Sequence, residues 1–162
     1  MDLTARDPML NGERLLIRTV RLLALDAGCG SPRCQFEAVM GADGAEAFRA
    51  LQAFVAQLRA WGRRRLSICL PGDARLTEDE ALMLDAFAAA QADDYRTLDD
   101  RLERLTGAEV RAWLGAAACI VAQHFAMAGL LMRADLPRNQ GWAASTTPTS
   151  TAAQWAAAAA TT

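Results

Sequence analysis

The chain has 162 residues, enough for one domain with its own core and no need of disulfides or a structural metal. Alanine makes up more than a fifth of it, while Val, Ile and Thr outside the C-terminal stretch are too few to build a sheet, so the class is all-α. Seventeen basic against nineteen acidic residues leave a formal net charge of −2, too little positive charge to imply nucleic acid on that ground alone.

Residues 1–12 read as a polar lead-in, with Pro8 and an Asn11-Gly12 turn signal. With an acid at position 2 and no uninterrupted apolar run, no signal peptide is expected here, and the expected location is the cytoplasm. A helix is expected from Glu13 to Ala27, with Leu16, Val20, Leu23 and Ala24 on one face. Gly28, Gly30 and Pro32 break it, and a short helix over 33–40 ends in the turn at 41–44. The next helix, 45–61, has the clearest pattern. Ala47, Leu51, Phe54, Leu58 and Trp61 alternate steps of four and three, the seam of a helix–helix contact, and Phe48 and Val55 widen it.

Leu66 to Leu70 alternates like a short strand, and the Pro71-Gly72-Asp73 turn allows a β-hairpin near 66–76. Thr77 with Glu80 is a capping-box signature that opens a helix to Ala92. A further helix starts at Asp93-Asp94, with Leu98, Leu102 and Leu105 on its inner face. Thr106 with Glu109 repeats the capping box, and a long helix is expected from there to Ala134, stopped by Pro137. From 138 onwards the sequence is low in complexity, largely Ala, Ser and Thr, and is expected to be a disordered tail.

Ala112 to Met132 contains twenty-one residues without a formal charge. That meets the length of a membrane span, about 20 residues. It also describes a helix buried all round at the centre of a bundle. The second reading is preferred, because the amphipathic faces of the other helices need something apolar to cover. The expected architecture is a compact bundle of five or six helices over residues 13–137, packed around this long apolar C-terminal helix, with no membrane association.

Chemistry-bearing residues are sparse. Cys29, Cys34, Cys69 and His124, the one histidine, form a conceivable zinc set, but there is no CxxC and no HxxxH. Cys119 and His124 are five residues apart, about 140° around a helix, and cannot easily face one ion. Cys29 and Cys34 in a glycine-containing loop near Arg33 offer a thiol redox pair as another alternative. No phosphate loop, nucleophile elbow or metalloprotease motif occurs, so no catalytic residue is assigned and no cofactor is expected unless it is zinc.

Two binding readings follow. The leading one is a small helical regulator or adaptor that binds a protein partner or a second copy of itself as a homodimer. Its contact residues would be Leu51, Phe54, Leu58 and Trp61, if the fold leaves that seam open. The alternative is a DNA-binding winged helix-turn-helix. There 45–61 would be the recognition helix, presenting Arg49, Gln52, Gln57 and Arg59, with Arg63, Arg64 and Arg65 on phosphates and 66–76 as the wing. Every basic residue is arginine, which together with the alanine content points to a GC-rich bacterial genome and lowers the weight of arginine clusters.

Overall fold

A computed structural model describes residues 11–25, 31–133 and 153–154. Among these residues there are six α-helices: α1 (Asn11–Ala24), α2 (Ser31–Met40), α3 (Gly44–Trp61), α4 (Glu78–Gln91), α5 (Tyr95–Thr106) and α6 (Ala112–Met127). A 3₁₀ turn, Gly41–Asp43, joins α2 to α3. The fold is a compact all-α bundle. Residues 1–10 of the 1–12 lead-in, Cys29 and the tail apart from Ala153–Gln154 lie outside the described residues, while Asn11 and Gly12, read as a turn, already belong to α1.

The helix at the centre is α4, which corrects the expectation that the uncharged C-terminal run would occupy that place. Leu82, Met83, Leu84, Ala86, Phe87, Ala88, Ala89 and Ala90 are all buried, on every side of the helix. Around it pack α5, α6, α1 and the short strand β1, Ser67–Ile68. The rings of Phe54 from α3 and Phe87 from α4 meet 4.9 Å apart, and Phe36 from α2 stands edge-on to both Phe48 and Phe125. These five phenylalanines, each contributing a large buried area, join α2, α3, α4 and α6 into one core.

Of the three acids in the first turn of α4, Asp79 and Glu80 are buried rather than solvated. Thr77 Oγ1 accepts from the Glu80 N–H while the Glu80 carboxylate accepts from the Thr77 N–H at 2.9 Å, so the capping box closes on both sides. Glu80 also holds Arg21 of α1 in a two-point pair, at 2.6 and 2.9 Å. The remaining guanidinium hydrogens of Arg21 go to the carbonyls of Leu70, Asp73 and Arg75. One buried side chain thus fastens the 69–76 loop to α1 and α4.

That fastening replaces the hairpin. Ala74–Leu76 does not pair with β1. Instead β1 pairs antiparallel with β2, Ala153–Gln154, in the register Ser67 to Gln154 and Ile68 to Ala153. The far side of the loop is already committed to Arg21 and to the Asp73–Arg75 pair.

The C-terminal helix is also shorter than expected. Its first residue is Ala112, not 107, because Thr106 finishes α5, its hydroxyl donating to the Leu102 carbonyl, and Gly107 takes a left-handed φ of 66°. At the other end Gly129 (φ 72°) reverses the chain: Leu130 N–H donates to Phe125 O and Gly129 N–H to Ala126 O. Those two bonds close a helix terminus, so the helix stops ten residues before Pro137. No helix among the described residues is long and apolar enough to cross a membrane.

Candidate functional site

Leu51, Phe54 and Leu58 are 0%, 0% and 3% exposed, so the seam of α3 is consumed by the core and is not an open contact surface. Trp61, at the end of that seam, is 50% exposed. Trp61 is the last residue of α3, where Gly62 turns the chain away.

The cysteines and histidine do not converge. Cys34 is exposed on α2, and Cys69 lies beside Glu80 in the Arg21-bound loop. Cys119 is half-buried on α6, and His124 lies five residues further along. Among the described residues no three of His, Cys, Asp or Glu form a group able to hold a metal ion, which removes the zinc alternative there. Burial raises the thiol pKa of Cys69, with the Glu80 carboxylate adding to it. Burial likewise raises Cys119, with help from Asp93 and Asp99, so neither thiol is poised for oxidation.

The arginines proposed for DNA are dispersed. Arg64 pairs with Asp79 and donates to the Arg104 carbonyl at 2.7 Å, so it closes the C-terminus of α5 rather than facing outward as a free cation. Arg49 and Gln52 are exposed on α3, and Arg59 is half-buried. The 66–76 segment forms no wing, and α3 turns its broad apolar stripe into the core as a bundle helix does.

What the fold does leave open is a face built by α3 and α6 together. The two helices lie antiparallel: Trp61 meets Trp113 edge-on with ring centroids 5.8 Å apart, and at the opposite end Glu46 Oε2 approaches His124 Nε2 at 3.8 Å. Between these contacts, Ala50, Ala53 and Gln57 follow Glu46 at helical steps towards Trp61. On α6 the buried set is Leu114, Ala117, Ala118, Val121, Ala122 and Phe125. The opposite row, Trp113, Ala116, Ile120, Gln123 and Met127, alternates steps of three and four and points out. Trp113 is 40%, Ile120 41% and Met127 61% exposed. The apolar run that reads as interior therefore has a dry side and an open side.

The tryptophan end is the more structured one. Arg111 lays its guanidinium over the Trp61 ring, 4.0 Å from the centroid, which fixes the indole as a flat wall. Arg63, Glu109, Trp113 and Leu114 complete a pocket of about 590 Å³. Gln57 lines it too, with its Oε1 buried and lacking a hydrogen-bond partner. Away from Glu46 at one end and Arg63, Glu109 and Arg111 at the other, the named positions of the face carry no charge. The sequence reading reached Trp61 but missed Trp113, Ile120 and Met127. The available signal was that their spacing is itself a three–four repeat, offset from the buried one.

Comparison with protein-family models, with curated proteins and with solved structures returns no match.

Proposed function

We propose that this chain is a small helical protein-binding domain, acting as a regulator or adaptor, and that it binds through the α3–α6 face. The observation that carries the reading is the outward row Trp113, Ile120 and Met127 beside Trp61, large apolar side chains in register along one helix pair. Isolated exposed apolar residues need no explanation, but a contiguous row does. At 16 residues α6 is about 24 Å long, and two helices side by side give a face on the order of 500 Å². That is the size of a functional patch on a monomer. Tryptophan and arginine are the residue types most often found at the energetic centre of protein interfaces. The Trp61–Arg111–Trp113 cluster supplies both, held rigid before any partner arrives.

A photo-crosslinking residue placed at Ile120 in the cell that makes the protein tests this directly. A discrete protein adduct is expected at Ile120 and none at Arg96, on the outer face of α5. In the same assay Trp113→Ala should remove most of the adduct, since loss of an anchoring tryptophan costs about 2 kcal/mol or more of binding. Absence of any adduct from Ala116, Ile120 and Met127 alike, with the domain folded, would overturn the reading.

A further inference from the structure

We infer that the occupant of the α3–α6 face is a second copy of the same chain, bound about a two-fold axis that crosses α3 near Ala53 and α6 near Ile120. The inference rests on the protein-binding reading and adds the partner and its orientation.

The argument starts from the ends of the face. One end carries Arg63 and Arg111 with Glu109 as the opposing charge; the other carries Glu46 next to His124. A two-fold interface puts the same patch on both sides, so each end must be acceptable to whatever the symmetry places over it. Two stackings of one helix pair on another are available. If α6 of the second copy lay over α3 of the first, like ends would meet and Arg111 would face Arg111. If α3 stacks on α3 and α6 on α6, each pair running antiparallel, opposite ends meet. Charge favours the second arrangement.

Its register follows from the two contacts that tie α3 to α6. Trp61 is level with Trp113, and Glu46 is level with His124. The midpoint of 46 and 61 falls at Ala53 and its neighbour. The midpoint of 113 and 124 falls at 118 to 119, the surface covered by Ile120, since helical side chains lean towards the N-terminus. An axis through those points puts the Glu46 carboxylate of the second copy over Trp61, where the Arg111 guanidinium already lies. It brings Met127 of the second copy towards the tryptophan pocket, where a flexible thioether packs well against aromatic rings. Ala53 and Ala116, small and exposed, with half-buried Ala50 beside them, let the helices approach closely around the axis. With roughly 1,000 Å² buried in total, the association sits at the small end of specific interfaces, so it should be reversible on dilution.

The test uses the full chain. Sedimentation should give a dimeric mass at about 100 µM and a monomeric mass after roughly hundredfold dilution. Ile120→Arg, at an exposed position, should keep the helical circular-dichroism signal and weaken association at least tenfold. Arg111→Glu and Glu46→Arg should each weaken it, and the double variant should regain at least half of the loss; a gain of that kind is not produced by local unstacking of Trp61. With all four native cysteines replaced by serine, Ile120→Cys and Ala53→Cys should each cross-link to themselves under copper–phenanthroline and dissolved oxygen, whereas Ala60→Cys, exposed near the tryptophan end of α3, should not. A monomer at every concentration overturns the inference; a photo-adduct at Ile120 to a different protein would then leave the protein-binding reading standing. Efficient Ala60→Cys self-cross-linking would overturn the orientation.

Discussion

Arg21 is the residue that ties α1 to the 69–76 loop and to α4. Its Nε and both terminal nitrogens are used, and their acceptors come from Glu80, Leu70, Asp73 and Arg75. Burial is the largest single influence and works against its charge, but the hydrogen bond to Glu80 together with the nearby charges of Glu80, Cys69 and Asp73 outweighs it, leaving its pKa above the usual arginine value. Breaking a buried pair from one side strands the other charge, so Arg21→Ala should cost about 3–5 kcal/mol in urea unfolding. Arg21→Lys keeps the charge but cannot reproduce the fork, and should recover only part of that loss. Asp73 belongs to the same loop. The Arg75 side chain and backbone N–H bond its carboxylate and hold it well below the ordinary carboxylate range. A depressed pKa of this kind stabilises the fold above the unfolded-state value near 3.8 and loses that contribution as pH falls towards the folded value. The stability difference between the native chain and Asp73→Asn should therefore be flat above about pH 5 and shrink in stronger acid.

At the scale of elements, two glycines give opposite expectations. A Cβ at Gly44 would run into the Phe36 carbonyl where α2 and α3 join, with backbone rather than a flexible side chain in the way. Gly44→Ala should destabilise by more than about 1 kcal/mol, the range for forced shifts in packed structure. Gly115, inside α6, has open space around its would-be Cβ. Gly115→Ala should gain about 0.5–1 kcal/mol from helix propensity, read as a shift in the thermal midpoint. Helix starts and stops were legible in the sequence wherever one local signal decided them. The Thr77–Glu80 box and the Asp94 cap, whose carboxylate accepts from the Thr97 N–H, are of that kind. Thr106–Glu109 carried the same signature but lost to a competing bond, the Thr106 hydroxyl turning back to Leu102. Gly129 ended α6 through a left-handed turn that composition alone does not announce.

For the molecule as a whole, the class was legible and the centre was not. Alanine is small and neutral, so it is tolerated equally inside and out, and an uncharged run such as Ala112–Met132 cannot report burial. α4 carries three acids in its first turn, the composition of a solvated helix start, yet Asp79 and Glu80 are satisfied indoors. The candidate face was half legible for the same reason: Trp61 closes a visible stripe, while Ile120 and Met127 are hidden in uniform hydrophobicity. Charge was a better guide. Residues 1–70 carry ten arginines against seven acids and residues 71–162 seven against twelve, +3 and −5, and the pairs Arg21–Glu80 and Arg64–Asp79 join those halves.

The central position of α4 has a kinetic corollary. Its amides can meet solvent only when the surrounding helices part, so deuterium should enter Ala86 to Ala90 at the rate of global opening. The frayed ends of α6 should label long before that. An exchange experiment would thus rank the helices by how much of the molecule must come apart to wet them, with the acid-led α4 last of all.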